Sequence, residues 1–306
     1  MSDSPHILRS GSLTLDCSQP VAGGAHVMGV LNVTPDSFSD GGLYLDPDRA
    51  LKRAAEMSAE GAVILDIGGA SSRPKGTTYG EGAQLISADE ECHRILPVIE
   101  RIAERLPDVW ISVDTFRSDV AEAALEAGAH MINDITSLRF DPALAEIAAR
   151  HGVPLALMHS VGMPGEMPHV VETHDIVSEV TIRLAEATRT ARNAGCDQLV
   201  LDPGFGFGKT TVDNLALMSG ISSLLSLGHP VLIGVSRKSS IAQAAAGENA
   251  PKEALPPPSD RLAGSLAATA VAVQNGATLV RTHDVAATRQ FLNVLEATIR
   301  AGTSQI

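Results

Sequence analysis

The sequence predicts a single (β/α)8 barrel, an α/β fold, preceded by a short β-hairpin. Three observations carry that expectation: eight short apolar runs, helical stretches lying between them, and glycines where several of the helices would hand over to the next strand. The apolar runs are Val27 to Leu31, Ala62 to Ile67, Val109 to Val113, His130 to Ile132, Val153 to Met158, Gln198 to Leu201, Val231 to Val235 and Thr278 to Val280. Each is short enough for a strand and apolar on both faces, the pattern of a parallel strand covered on both sides.

The intervening helices are predicted at Asp48 to Glu60, Ala88 to Arg105, Ser118 to Ala127, Pro142 to His151, Thr173 to Ala194, Arg261 to Asn275 and Val285 to Arg300. Five of them end on a glycine, at Gly61, Gly128, Gly152, Gly195 and Gly276, which suits the left-handed residue that closes a helix. No composition break marks a second domain, and the 306 residues suit one closed barrel better than the alternative, an open doubly wound sheet. The expected division is an N-terminal segment over 1–24, the barrel over 25–301 and a tail over 302–306. Alternation of apolar and polar residues from Ile7 to Leu15 predicts the hairpin, placed at the barrel bottom. Three longer loops stand out, Thr34 to Pro47, Arg73 to Ser87 and the proline-rich Ala246 to Ser259, the last expected to be a poorly fixed surface excursion.

A formal net charge of −13 argues against nucleic acid or an anionic membrane as partner, since both would repel the chain. The N-terminal residues lack the apolar run of a secretory signal and no segment has transmembrane length, so a cytoplasmic protein is expected. Cys17, Cys92 and Cys196 are odd in number and in no metal-ligand spacing, which points to free thiols without a function.

Nearly every apolar run is followed at once by residues that a core would not choose: Asn32, Asp66, Asp114, Asn133 with Asp134, His159, Asp202, Ser236-Arg237-Lys238, and Arg281 with His283. In a barrel these positions share one rim, where binding and catalytic groups from different strands converge. Asp66 is expected to bond backbone amides in its turn, and His159 to be a satisfied, partly buried histidine. Asp114 and Asp202 are read as site carboxylates, against the plainer roles of helix cap and turn brace. Arg281 and His283 lie two apart and so point to the same side of their strand, where a phosphate can bridge them. Arg73, Lys209, Arg237, Lys238, Arg281 and His283 all fall in strand-end loops, which implies an anionic substrate; the neighbouring Asn32, Asp114, Asn133 and Asp202 suit a hydrogen-bonding heterocycle or a divalent metal.

The run Asp202 to Thr210 contains Gly208-Lys209-Thr210 but is no P-loop, because Pro203 stands where the motif needs its first glycine. Nor do Gly204, Gly206 and Gly208 match the dinucleotide fingerprint, whose third glycine comes one residue later. Close approach of backbone to a flat ligand, with Phe207 as an apolar wall, fits better.

The segment Gly29-Val30-Leu31-Asn32-Val33-Thr34-Pro35-Asp36-Ser37-Phe38-Ser39-Asp40-Gly41-Gly42 resembles the N-terminal signature of the dihydropteroate synthase family. Asp66 to Pro74 resembles its second signature, and Leu201 to Lys209, Ser236 to Ser239 and Arg281 to Asp284 resemble three further blocks, in family order from Val27 to Ile299. The resemblance implies condensation of 6-hydroxymethyl-7,8-dihydropterin pyrophosphate with p-aminobenzoate, with Mg²⁺, through an SN1-like pterin methylene cation, and a homodimer formed through late outer helices. By motif, Asn32 matches the metal ligand, and Ser72, Asp114, Asn133, Asp202, Lys238, Arg281, Thr282 and His283 match the groups that hold the pterin pyrophosphate. Asp114, Lys238, Arg281 and His283 are the expected catalytic set, and Phe38, Arg73, Pro74, Phe207 and Ser239 the p-aminobenzoate site. Sulfonamides, which resemble p-aminobenzoate, are expected to compete there.

The second signature departs from the family: Ala70 replaces an acid, Ser72 a threonine, Lys75 intervenes before Gly76, and Thr77 to Ala83 is an insertion. Ser160-Val161-Gly162 stands where Met-Gln-Gly is frequent, so a carboxamide is lost. Two rivals are a pterin-binding methyltransferase, which has little use for the anion sites, and a non-catalytic pterin-binding paralogue.

Overall fold

A computed structural model describes residues 6–18, 24–34, 46–70, 86–162, 175–247 and 250–303. Strands β1 (Ile7–Ser10) and β2 (Leu13–Asp16) precede the ring strands β3 (His26–Asn32), β4 (Ala62–Gly68), β5 (Trp110–Asp114), β6 (Met131–Asp134), β7 (Leu155–Met158), β8 (Leu199–Asp202), β9 (Leu232–Ile233) and β10 (Leu279–Thr282). The helices are α1 (Pro47–Ala59), α2 (Ala88–Arg105), α3 (Ser118–Glu126), α4 (Ala143–His151), α5 (Ile176–Asn193), α6 (Thr211–Ser219), α7 (Ile221–Leu225), α8 (Ser239–Ala246), α9 (Leu262–Gln274) and α10 (Val285–Thr303).

The eight-stranded sheet runs β8-β7-β6-β5-β4-β3-β10-β9, all pairs parallel. A parallel bridge between Leu201 and Val231, with Leu201 N–H donating to Pro230 O at 2.9 Å, joins β8 to β9 and closes the ring. The expected barrel is therefore present, and the open sheet is not. Six of the eight ring strands end one or two residues later than the apolar runs, because backbone pairing continues through residues such as Asn32, Asp114, Asp134 and Asp202 whatever their side chains, whereas β7 ends with its run at Met158 and β9 stops two residues short at Ile233.

Helix ends follow local chemistry. Asp46 caps α1 by accepting from Asp48 N, Pro47 supplies its first turn, and Ala50, Ala54 and Met57 recur at helical spacing on the buried face. Ser87 caps α2, whose first turn carries Asp89, Glu90 and Glu91 toward the positive end of the helix dipole. The five helix-ending glycines all have positive φ. Helices α6, α7 and α8 have no counterpart in the sequence reading, although Thr210 and Asp213 form a reciprocal capping box ahead of α6.

Side chains alternate across the ring. Leu31, Leu65, Ile67, Ile111, Val113, Leu155, Leu157 and Leu199 face outward into one core shared with the helices. Met28, Ile64, Trp110, Met131, Ala156, Val200, Leu232 and Leu279 fill the barrel's lower interior together with Leu8, Leu15 and Cys17 of the hairpin. The hairpin thus closes the barrel bottom, held to β8 by Arg9 N–H donating to Gln198 Oε1 (2.7 Å) and Gln198 Nε2 donating to Arg9 O (3.1 Å). Full burial of each large apolar side chain contributes about 1.5–3 kcal/mol, so this layer makes a dry floor beneath the polar mouth.

The proline-rich connection is better fixed than its composition suggests. It forms 3₁₀ turns at Lys252–Ala254 and Pro258–Asp260, and Arg261 ties it down through Pro256 O and Arg237 O, both at 2.8 Å. Among the described residues no helix is long and apolar enough to cross a membrane. Cys17, Cys92 and Cys196 are free thiols, and burial pushes the first and last up to about 12.

Candidate active site

Above the apolar floor, the two-residue period of each strand sets the next inward layers. One holds Val30, Asp66, Ser112, Asn133, Met158, Asp202, Gly234 and Arg281; the next begins with Asn32, Gly68 and Asp114. The centre of this set is Asp66, which is fully buried. Its Oδ1 accepts from Ser112 Oγ (2.7 Å), and its Oδ2 accepts from Asn133 Nδ2 (3.1 Å) and Arg281 Nε (2.5 Å). The expectation that Asp66 bonds turn amides is corrected: its carboxylate points into the barrel and ties three other strands together.

Arg281 also donates from Nη2 to Asp114 Oδ2 at 2.8 Å, so one guanidinium bridges two carboxylates. Burial raises the Asp114 pKa to about 7; Arg281 opposes that shift and the Asp66 charge adds to it. The N-cap alternative for Asp114 falls, since α3 is capped from Arg117 and Asp114 turns inward to Arg281.

Asp202 does brace its turn, accepting from Gly204 N at 2.7 Å, and it also serves the site. It is buried, which raises its pKa, and Lys238 is its chief counter-charge. Lys238 donates to Phe205 O and lies 4.4 Å from the Phe207 ring centroid. Burial brings its pKa down to about 7 against the pull of Asp202. Phe207 packs on Phe116, Ile135 and Met158, giving the mouth an apolar wall from four successive strand ends.

Lys209 departs from expectation. Its ammonium donates to His159 O (3.2 Å), Gly204 O (2.8 Å) and Phe207 O (3.1 Å), and the residue is buried. It pins the glycine loop and does not face a substrate. That loop passes so close to β7 that a β-carbon on Gly204, at φ +69°, would run into the His159 carbonyl. Arg237 is likewise engaged: Nε and Nη2 meet Asp284 at 2.9 and 2.5 Å.

His283 is on the same side as Arg281, its Nδ1 3.1 Å from Ser236 Oγ, with its pKa lowered to about 3 by burial and then by Arg281. A pKa this low leaves the ring neutral at pH 7. Thr282 falls on the opposite face of β10: its Oγ1 is 3.1 Å from Thr288 Oγ1 and accepts from Asp284 N at 3.1 Å. Its side chain therefore braces the start of α10, away from Arg281 and His283. His159 is more isolated than expected, with Nδ1 lacking a partner among the described residues and a pKa lowered to about 3 by burial.

Asn32 ends β3 beside Gly68. A β-carbon on Gly68 would lie 3.7 Å from Asn32 Oδ1 and 3.5 Å from Asp114 Cβ, so the glycine leaves a notch between two oxygen-bearing side chains. Ser239 opens α8 directly after Lys238. Phe38, Ser72, Arg73 and Pro74 lie outside the described residues, as do the insertion and most of the first two long loops. The structure thus brings together Asn32, Asp114, Asn133, Asp202, Lys238, Arg281 and His283 at one rim, and adds Asp66 and Ser112, which the sequence reading left out. Strand alternation was the available signal for Asp66: its neighbours Leu65 and Ile67 face out, so Asp66 must face in.

A polar barrel mouth with two buried carboxylates, a carboxamide and a lysine around an apolar wall defines a binding enzyme for a flat heterocycle with an anionic group. The comparisons agree. The chain belongs to the pterin binding enzyme family, whose model matches residues 28–283. Its relatives over nearly the full chain are dihydropteroate synthases: that of Escherichia coli is 42% identical over 290 residues, covering 94% of this chain and 95% of the relative. The dihydropteroate synthase of Yersinia pestis, solved with a sulfonamide drug, superposes with a TM-score of 0.84 at 40% identity, over 96% of this chain and 99% of that one. That of Xanthomonas albilineans, solved with 4-aminobenzoic acid, gives 0.81 at 40% identity, over 96% and 98%.

Proposed function

We propose that this chain condenses 6-hydroxymethyl-7,8-dihydropterin pyrophosphate with p-aminobenzoate, giving 7,8-dihydropteroate and pyrophosphate. The observation that carries the reading is the convergence of Asp114, Asn133, Asp202 and Lys238 in one pocket, with Arg281 and His283 at the adjoining strand end. Acceptors and a donor of this kind match the aminopyrimidinone edge of a pterin, and the Arg281 guanidinium suits an anionic tail. A methyl transfer between a folate and a partner has no use for that second group.

Asp202 and Asn133 orient the ring, Lys238 donates to its carbonyl, and Phe207 covers one face. Arg281 and His283 hold the pyrophosphate. Asp114 is placed to stabilise the positive charge that develops on the exocyclic methylene as the C–O bond to pyrophosphate breaks. The aniline nitrogen of p-aminobenzoate then forms the new C–N bond and sheds its proton; its ring packs against Phe207, with Phe38 and Pro74 as further walls. Arg73 and Ser239 meet its carboxylate, Ser239 from the start of α8, and Ser72 contacts the pterin substrate. No protein nucleophile is needed.

The residues fit a divalent cation. Asn32 and Asp114 offer hard oxygens across the notch at Gly68, and among the described residues no group of three or more His, Cys, Asp or Glu side chains is placed to hold a metal alone. Asn32 would hold Mg²⁺ with substrate oxygens and water completing its shell, and the ion would supply charge neutralisation to the departing pyrophosphate. A cytoplasmic location fits the free thiols, and a homodimer through late outer helices fits the exposed Val271 on α9 and Val294 on α10.

A coupled assay of pyrophosphate release, with and without p-aminobenzoate, tests the reading: release that depends on p-aminobenzoate is expected, and none in its presence refutes it. Asp114→Asn is expected to reduce turnover on the order of a hundredfold. Sulfonamides are expected to raise the apparent KM for p-aminobenzoate.

A further inference from the structure

Asp66 is buried to 0% exposure and carries three donors on two oxygens, each from a different strand. A carboxylate placed this deep persists only when it is paired and hydrogen-bonded, and Arg281, Asn133 and Ser112 meet that condition. An ionised carboxylate can only accept. Asn133 must therefore present its amide nitrogen to Asp66, which leaves its carboxamide oxygen turned away from Asp66. Rotation of that amide would set oxygen against oxygen at about 3 Å, so the orientation is fixed before any ligand enters. Arg281 is treated in the same way: Asp66 takes Nε, and the outer edge of the guanidinium is left for Asp114 or an incoming anion.

We propose that Asp66 is the positioning and specificity-determining residue of this site, locking Asn133 as a hydrogen-bond acceptor so that the pocket selects a 7,8-dihydropterin over its oxidised form. The proposal rests on the pterin reading of the pocket. The chemistry is specific to the reduction state of the ring. A 7,8-dihydropterin carries an N–H at position 8, so its polar edge has one more donor than that of the oxidised ring, whose N8 is a bare acceptor. Asp202 and the Asn133 oxygen make the pocket rich in acceptors, and an acceptor facing a lone pair loses a hydrogen bond and leaves two buried groups unpaired. Asp66 itself touches no reacting atom; it acts through Asn133 and Arg281.

The test compares dissociation constants for 6-hydroxymethyl-7,8-dihydropterin and fully oxidised 6-hydroxymethylpterin, by calorimetry on the full chain. The wild type is expected to prefer the reduced ring by tenfold or more. Asp66→Asn supplies an amide that can donate to Asn133, frees that side chain to rotate, and is expected to narrow the preference to threefold or less. A wild type without preference, or a variant that keeps the full preference, overturns the proposal. If Asp66→Asn does not fold, Ser112→Ala removes one of the donors that fix the Asp66 carboxylate, and a partial narrowing is expected; an unchanged ratio overturns the proposal there too. A wild type that keeps the preference and loses it on Asp66→Asn supports the role of Asp66 even if no pyrophosphate is released, an outcome that would count against condensation alone.

Discussion

Replacing Lys209 with methionine separates the role the structure gives this cation from the one its position in the sequence suggests. Methionine keeps the length of the stem and removes the donor, leaving the carbonyls of His159, Gly204 and Phe207 without their amine, which now stands 2.8 to 3.2 Å from them. A buried carbonyl deprived of its partner costs about 1–3 kcal/mol. Against this loss stands the burial of the amine, which brings its pKa from 10.5 to about 7. Between those two values the unfolded chain holds the extra proton, so stability rises with pH across the window at up to about 1.4 kcal/mol per unit. The wild type therefore gains roughly 2–3 kcal/mol between pH 7 and 9 that the variant does not. Lys209→Met is expected to be nearly neutral at pH 7 and to lose about 3 kcal/mol at pH 9, a fall in Tm on the order of 5 °C for a chain of this length. Thermal or urea unfolding at the two pH values measures it. The KM for the pterin pyrophosphate should stay within about threefold, while the KM for p-aminobenzoate rises as the Phe207 wall loosens. A variant with the wild-type unfolding curve at both pH values and a KM for the pyrophosphate substrate raised tenfold or more would refute this and return Lys209 to the substrate.

Lys238 has its pKa lowered to about 7 by burial, so pterin affinity is expected to fall as pH rises through 7 and the ammonium is lost. Lys238→Arg, which keeps its charge, should weaken binding and abolish that descending limb; titration of pterin affinity against pH checks it, and a limb that survives assigns it elsewhere. His229 is fully buried, has neither ring nitrogen bonded among the described residues, and has a pKa lowered from 6.5 to about 4. The unfolded chain takes up that proton first, so the histidine costs stability as pH falls below 6.5. His229→Leu is expected to stabilise the protein, by about 2 kcal/mol more at pH 5 than at pH 7.5; equal effects at both would rule out titration of this ring.

The barrel was legible because its signals are local and repeated. Each strand is a short apolar run, five of the seven helices read from the sequence end on a glycine, and eight repetitions leave little freedom for another sheet. What escaped was whatever one periodicity could not show. Helices α6 and α8 follow the glycine loop and the Ser236-Arg237-Lys238 run, whose conspicuous residues drew the reading toward ligand binding. Partners were illegible too. Nothing in the chain near Lys209 says that its own loop will turn the Gly204 and Phe207 carbonyls onto it, and its contact with His159 O, like that of Arg237 with Asp284, exists only after segments far apart in sequence have met. The Asp66 and Thr282 cases differ, because parity alone decides them. Arg281 and His283 facing inward forces Thr282 outward, and Leu65 and Ile67 facing the helices forces Asp66 inward.

The commitment of cations to internal carbonyls and carboxylates bears on how an anionic tail is held in so acidic a chain. Lys209 and Arg237 are committed to the scaffold, and burial keeps His283 neutral at pH 7. Among the described residues Arg281 is the remaining strong cation at the end of β10, and it is shared between Asp66 and Asp114. Asp66 is the deeper partner at 0% side-chain exposure, against 14% for Asp114, so an oxygen arriving from the mouth competes first with Asp114. Binding of the tail and the ionisation of Asp114 are therefore linked: drawing the guanidinium toward pyrophosphate removes the counter-charge from Asp114, and by reciprocity a protonated Asp114 gives Arg281 up more readily. In the reaction proposed above, Asp114 stands beside the carbon where positive charge develops, and that charge restores the ionised form which withdrawal of Arg281 disfavours. Under the proposed reaction, one guanidinium couples capture of the leaving group to the electrostatics of bond breaking, with Asp66 holding its far side still.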